Sequence, residues 1–154
     1  MTNPRWLLVG PCLLLAGCFQ DSTAQHSAFL PLDYQTSQSN PFQVVRACRA
    51  ITSHGLVYQR VLANGVAAEP YVGASYPIPA GGVVVAEQHG DSSCSSLTGF
   101  YLMAKEKPGY DDASANWHWQ RLDDNQRVLE DGRLQKCSSC HAQPPCNDHL
   151  CSPP

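Results

Sequence analysis

The sequence predicts an α+β domain in which an antiparallel β-sheet carries flanking helices. Runs of β-forming residues separated by turn residues recur between positions 56 and 122, which indicates a meander of strands. A segment before these runs and a segment after them have helical features instead. The 154 residues include 12 prolines and 11 glycines, which suits one domain with many turns.

The first predicted helix covers SNPFQVVRACRAITSHG, residues 39–55. Asn40 is placed to cap its N-terminus, and Pro41 suits the first helical position. Gly55 is a suitable residue to end it. One helical stripe contains Phe42, Val45, Cys48 and either Ile51 or Thr52. This spacing predicts about three turns of helix ahead of the sheet.

The strands follow in order along the chain. The segment 56–62 is rich in β-formers and ends at the turn dipeptide Asn64-Gly65. The segment 81–88 contains three consecutive valines and is predicted to be covered on both faces. Two further strands are predicted at 97–106 and 116–122, on either side of a KPGYDD turn. The segment from about 130 to 142 lacks β-formers and is predicted to be a short helix.

The N-terminus has the features of an export signal. Arg5 precedes an apolar stretch that is too short to span a bilayer, so residues 1–17 are predicted to be a signal peptide. The stretch ends in LAGC, which resembles the lipobox of bacterial lipoproteins and predicts a lipid on Cys18. Residues 18–40 are then expected to form a flexible tether, and 41–154 the domain. The predicted location is the periplasm, lipid-anchored, on the outer membrane rather than the inner one.

Export to an oxidising compartment permits disulfides, so the cysteine count becomes informative. Of the eight cysteines, Cys12 leaves with the signal and Cys18 would carry the lipid. Two of the remaining six belong to the motif described next, and the other four allow three pairings. Proximity favours Cys146 with Cys151, and elimination then leaves Cys48 with Cys94.

The motif Cys137-Ser-Ser-Cys140-His141 lies near the C-terminus. On one helical turn the two thiols and the imidazole share a face, so two thioethers and an axial ligand can converge on one haem. This spacing is typical of covalent haem c attachment and predicts one haem c with His141 as the iron ligand. Zinc is an alternative, but the gap from Cys140 to the next cysteine is far shorter than usual. A redox disulfide is the other alternative.

The distal side of this haem is predicted to be open. No methionine follows His141, and Met103 lies in a predicted strand where core packing is expected. Trp117 and Trp119 share one strand face and are expected to pack in the core, with a wall of the haem site as the alternative. A second histidine could ligate the iron instead; the candidates are His54, His89, His118 and His149. An open position would make the iron a binding site for small molecules.

Four segments of the chain resemble the cytochrome P-460 and cytochrome c-prime-beta family. They are SHGLVYQRVLANGVA (53–67), YPIPAGGVVVAEQ (76–88), GFYLMAKEKPGYDDASANWHW (99–119) and DGRLQKCSSCHA (131–142). The resemblance implies a β-sheet homodimer with the haem held by the C-terminal motif, His141 proximal and the distal side open. It also implies exported proteins that act on nitrogen species, through hydroxylamine oxidation or nitric oxide binding.

One departure from the family concerns a lysine that cross-links to the haem in the P-460 members. The corresponding position here is Ala86, in the segment VVVAE, and alanine has no nucleophile. An ordinary haem c is therefore expected. Lys105 is a possible substitute for the cross-linking lysine, although a structural role is favoured for it.

Three haem-based functions follow as hypotheses, and a metal-binding or disulfide-stapled module without haem is the fourth. The first is a small-ligand haem protein that binds nitric oxide or a related nitrogen oxide. The second is a haem enzyme that oxidises hydroxylamine or reduces peroxide, for which Glu87, Arg60 or His54 would be the acid or base. The third is an electron-transfer cytochrome on a membrane tether, with a redox partner protein. The net charge is −3 and no basic stripe is visible, so no nucleic-acid partner is expected.

Overall fold

A computed structural model describes residues 28–39 and 41–151. Within them, six antiparallel strands form one sheet in sequence order, β1 to β6, with two short helices, which confirms the predicted α+β class. The predicted signal peptide and Cys18 lie outside the described residues. The elements are β1 Gln43–Ile51, β2 Val57–Ala63, α1 Gly65–Val72, β3 Val83–His89, β4 Leu97–Lys105, β5 Trp117–Leu122, β6 Val128–Gly132 and α2 Gln135–His141.

The four central strands match the sequence prediction. They are rich in valine, leucine and aromatic residues, which fit a pleated surface with both faces covered. The predicted burial of β3 on both faces is confirmed, because Val84 and Val85 project to opposite sides and are both buried. Met103, Trp117 and Trp119 are buried in one core cluster, as predicted.

The predicted helix at 39–55 is wrong, because most of this segment is the edge strand β1. Its pairing with β2 shifts register twice, between Val44 and Arg46 and between Arg46 and Arg49. Each register shift interrupts the alternation of apolar and polar residues by which a strand is recognised. The apolar residues of this segment are therefore spaced as they would be on one face of a helix. The β-branched Val44, Val45 and Ile51 favour the strand, and the sheet supplies its hydrogen bonds.

Helix α1 differs from the sequence prediction, in which Asn64-Gly65 is a simple turn. Asn64 is instead the N-cap: its side-chain oxygen accepts the backbone N–H of Ala67 at 3.2 Å. The same oxygen accepts the N–H of Val83 at 3.0 Å, and the side-chain amide donates to the carbonyl of Gly81 at 2.9 Å. One buried side chain thereby starts the helix and holds the loop that enters β3.

The C-terminal helix is shorter than predicted. The prediction of a helix from about 130 to 142 is wrong at its start, since Val128–Gly132 is strand β6, paired with β5. This strand has few β-formers and forms because β5 offers an open edge. The helix α2 begins at Gln135 and ends at His141, so it still carries the cysteine motif.

The two faces of the sheet are covered by different parts of the chain. One face, which we call the cavity face, packs against α1 and Leu150 near the C-terminus. The opposite face packs against residues 28–36, where Leu30 and Tyr34 are buried against Phe100 and Leu122. The folded part therefore begins upstream of the predicted boundary at residue 41, within the segment predicted to be a tether.

Both predicted disulfides are confirmed. Cys48 in β1 is bonded to Cys94 in the β3–β4 loop, and Cys146 is bonded to Cys151 after α2. Cys137 and Cys140 are free. Among the described residues, no helix is long and apolar enough to cross a membrane.

Candidate functional site

A cavity of about 320 Å³ lies between the cavity face of the sheet and α2. This volume falls within the range of roughly 300–1,000 Å³ that is usual for small-molecule sites. The strand residues of its wall include Gln59, Val61, Val84, Ala86, Tyr101, Met103 and Trp119. His54, Cys137, Cys140 and His141 line it from the β1–β2 hairpin and from α2. The structure thus brings the three residues of the predicted haem motif to one mostly apolar cavity.

Helix α2 places the motif on the cavity side. Cys137 packs against the core cluster of the cavity face and is half-buried, whereas Cys140 is exposed. Burial raises the pKa of the Cys137 thiol. Cys146 and Cys151 are bonded to each other and so do not offer a second zinc ligand pair. Within residues 28–39 and 41–151, no group of three or more His, Cys, Asp and Glu side chains is arranged to hold a metal ion.

His141 is oriented by a backbone carbonyl. Its Nδ1 lies 2.6 Å from the oxygen of His149, and because a carbonyl only accepts, Nδ1 carries the proton. The other nitrogen, Nε2, then has its lone pair free. Burial lowers the pKa of His141, so the ring is neutral at physiological pH. A neutral imidazole whose second nitrogen donates to a carbonyl is the usual form of a metal-ligating histidine.

The carbonyl that orients His141 belongs to a tight turn at residues 147–150. Asn147 and Leu150 exchange both backbone hydrogen bonds, at 2.8 and 3.1 Å. The two central residues have positive φ, 46° at Asp148 and 61° at His149, as a type I′ turn requires. Aspartate and histidine both adopt this conformation more readily than most residues other than glycine.

Asp148 attaches this turn to the sheet through three contacts. Its carboxylate pairs with Lys105 Nζ at 2.5 Å and accepts the backbone N–H of Ile78 at 2.7 Å. Its carbonyl accepts the indole N–H of Trp117 at 2.8 Å. The ammonium of Lys105 also lies 4.6 Å from the centre of the Trp117 ring. Lys105 therefore has the structural role that the sequence favoured.

Of the four candidate distal histidines, His54 is the one that lines the cavity with its ring close to that of His141. Its ring stacks on Tyr101 with centroids 4.5 Å apart, and its centroid lies 6.1 Å from that of His141. Partial burial, and then the proximity of His141, lower the pKa of His54. His89 and His118 face carboxylates elsewhere, and His149 contributes its carbonyl.

Glu87 and Arg60, the other predicted acid–base candidates, lie on the face of the sheet opposite the cavity. Arg60 Nε donates to Glu87 Oε2 at 2.6 Å, and the Tyr34 hydroxyl donates to Oε1 at 2.5 Å. Burial alone would raise the pKa of Glu87, but the hydrogen bonds from Arg60, Tyr34 and His89 outweigh it and hold that pKa below its ordinary value. This cluster fixes residues 28–36 to the sheet and has no contact with the cavity.

Two unpartnered donors lie on the cavity wall: Trp119, which the sequence assigns to core packing, and Gln59, which the sequence does not single out. Trp119 is buried, stands edge-on to His141 with centroids 4.9 Å apart, and has no partner for its indole N–H. The amide nitrogen of Gln59 is also buried without a partner. Alternation along β2 was the available signal, since Gln59 shares a face with Val61.

The residues present fit a covalent haem. Two free thiols one helical turn apart and a neutral imidazole with an unprotonated nitrogen face a mostly apolar cavity, and its wall holds unpartnered donors. No model of a known protein family matches the chain, and no curated protein matches it either. The resemblance to the cytochrome P-460 family therefore stays a prediction.

Proposed function

We propose that this protein is an exported mono-haem c-type cytochrome that binds small nitrogen-oxide ligands such as nitric oxide. Cys137 and Cys140 would hold the haem through thioethers, and His141 would bind its iron. The haem, when bound, supplies an iron centre with a coordination position for a diatomic or similarly small ligand.

One observation carries this proposal. Within residues 28–39 and 41–151, the two free cysteines lie on the same helix as a histidine whose Nδ1 is occupied by a carbonyl, and all three line one cavity. The two disulfides leave these thiols unpaired, although disulfides are permitted where such proteins are exported. Core packing alone does not account for a histidine whose Nε2 is free and lies on the same helix as two free thiols.

The part of the cavity wall around Ala86 favours a small, uncharged ligand. Ala86, Val84 and Met103 present methyl and thioether groups to it, which exclude water and offer no proton donor. Because Ala86 stands where the resemblance places the cross-linking lysine, we propose a haem joined only through its two thioethers. Hydroxylamine oxidation is accordingly not the favoured reaction.

Expression of the full chain together with the haem-attachment machinery tests the proposal. Mass spectrometry should show one haem on the peptide containing Cys137 and Cys140, and the pair Cys137→Ala and Cys140→Ala should abolish attachment. The matched control is Ser138→Ala with Ser139→Ala, which changes the two intervening residues and should leave attachment intact. The ferrous protein should be five-coordinate and high-spin, and should take up nitric oxide. Absence of covalent haem in the unmodified chain would refute the function.

A second candidate is a six-coordinate electron-transfer cytochrome, and the position of His54 favours it. Its ring is nearly parallel to that of His141, with a 14° angle between the planes, and stacking on Tyr101 holds it at the rim of the cavity. A low-spin spectrum that becomes high-spin in His54→Ala would select this function. Retention of a high-spin spectrum in both proteins would select the ligand-binding one.

The proposed location is outside the cytoplasm. Two disulfides in a chain of this size support it, because the cytosol keeps such thiols reduced. A lipid on Cys18 and a homodimer belong to the same proposal. Palmitate labelling of the full chain and of Cys18→Ser, and light scattering of the purified domain, test these two points.

A further inference from the structure

Three buried donors without an acceptor lie close together on the cavity face. Gln59 and Gln88 are directly paired across β2 and β3, and residues opposite each other in an antiparallel pair project from the same face. Gln59 Nε2, Gln88 Nε2 and Arg46 Nε are each buried and have no hydrogen-bond partner. Buried donors are nearly always paired, so three unpaired ones in one place indicate an acceptor that is bound there.

Arg46 determines which end of the Gln59 amide is available. Its guanidinium donates to the Gln59 side-chain oxygen, and both residues are 4% exposed. Because a guanidinium has only donors, the amide oxygen must face it and the amide nitrogen must be the free end. Gln59 itself lines the cavity. The wall therefore offers N–H groups, which suit an oxygen acceptor and do not suit a metal ion or a second donor.

The charge of Arg46 favours an anionic acceptor. Among residues 28–39 and 41–151, no carboxylate is paired with Arg46, and the groups that act on it electrostatically are Tyr71 and Arg49. A buried cation is costly to maintain without a counter-ion. Arginine also binds planar oxyanions better than lysine does, because its donors form a rigid fork. An oxyanion near Gln59 would compensate this charge.

We propose that Gln59, Gln88 and Arg46 form an oxyanion subsite at one end of the cavity, which takes a carboxylate of the haem. The amides would donate directly, and Arg46 would orient Gln59 and supply positive charge behind it. This inference rests on the proposed function, since haem brings two propionate carboxylates with it. A free oxyanion such as nitrite has the same acceptor chemistry and is the competing source.

Arg46→Met in the full chain, melted with and without attached haem, tests the subsite. Without haem, removal of an uncompensated buried cation should leave the melting temperature unchanged or raise it. With haem attached, the same substitution should lower the melting temperature, because the carboxylate loses its counter-ion. Arg127→Met is the control, an exposed arginine that does not act on Arg46, and should show no such reversal. Equal shifts of Arg46→Met in both states would overturn the proposal.

Gln59→Met combined with Gln88→Met provides a second reading if Arg46→Met does not fold. It keeps both side-chain lengths and removes both amides. It should lower the melting temperature of the haem-loaded protein and leave that of the haem-free protein unchanged. Titration of the haem-free chain with sodium nitrite identifies the source of the anion. A saturable rise in melting temperature that persists in the haem-loaded protein would assign the subsite to a free oxyanion and overturn the assignment to the haem carboxylate.

The same nitrite titration applies if the unmodified chain attaches no haem, in which case the proposed function fails by itself. A saturable rise that is lost in Arg46→Met would still support an oxyanion subsite. Absence of any rise in that haem-free chain would overturn it.

Discussion

Replacement of Asp148 by asparagine should both destabilise the domain and release the turn that orients His141. The Asp148 and Lys105 side chains are 5% and 8% exposed, so the substitution leaves a buried ammonium without its counter-ion. Breaking a buried pair in this way costs about 3–5 kcal/mol. The asparagine oxygen can still accept the N–H of Ile78, and the Trp117 ring still faces the ammonium, so we expect the lower end, about 3 kcal/mol.

Urea unfolding followed by tryptophan fluorescence measures this loss, which corresponds to a fall of roughly 10 °C in melting temperature for a domain of this size. The double substitution Asp148→Asn with Lys105→Met removes both charges and should recover most of the stability. Asp123→Asn is the control, since Asp123 pairs with an exposed arginine, and its midpoint should hardly move. A loss below about 1 kcal/mol for Asp148→Asn, or a double variant no better than the single one, would refute the reasoning.

The same variant should alter His141, because the carbonyl of His149 follows Asp148 directly in the turn. In the haem-loaded protein we expect a weaker iron–histidine bond, observed as a lower stretching frequency in resonance Raman spectra. Asp123→Asn should leave that frequency unchanged. An unchanged frequency in a folded Asp148→Asn protein would show that the turn holds its position without the ion pair.

Three further predictions concern the rest of the fold. The folded-state pKa of Glu87 is below its ordinary value of 4.5, so its contribution is present above that pH and is lost as the pH falls through the folded-state pKa. Glu87→Gln should therefore cost about 2 kcal/mol near neutral pH. In chemical unfolding, the difference in unfolding free energy between the variant and the unmodified protein should shrink below pH 4.5. A difference that does not change with pH would contradict this prediction. The disulfide Cys48–Cys94 closes a loop of 46 residues, and Cys146–Cys151 closes one of 5. In the chain-entropy model, replacing the first pair by serine should cost about 4 kcal/mol of unfolding free energy, and replacing the second about 2 kcal/mol. Equal losses of unfolding free energy in the two variants would argue against this ranking. Asn64→Ala removes a helix cap and two loop contacts and should cost about 2 kcal/mol by urea unfolding, whereas Asn125→Ala in an exposed turn should cost little.

The central sheet could be predicted because its strands are uninterrupted runs of β-formers between clear turn residues. The edges could not, since β1 contains two register shifts that imitate helical spacing and β6 depends on the open edge of β5. Asn64 shows the same limit on a smaller scale: an Asn-Gly dipeptide is compatible with a turn and with a helix cap, and only the loop that Asn64 contacts decides between them.

The motif residues of the site could be predicted, and the walls around them could not. Cys137, Cys140 and His141 are adjacent in the chain, so a single turn of helix brings them together. Gln59 and Trp119 line the same cavity from two different strands, and their meeting depends on register, which the sequence does not specify. The turn that orients His141 depends likewise on Asp148 meeting Lys105, 43 residues away.

The sheet separates two neighbours in the chain that face different surroundings. Ala86 lines the cavity, whereas Glu87 is fixed among Arg60, Tyr34 and His89 on the other side. Substitutions on the two sides share few contacts, so their effects on stability should be nearly additive. In evolutionary terms, the side chains around the cavity can change while the charged cluster on the far side keeps the fold above its stability threshold.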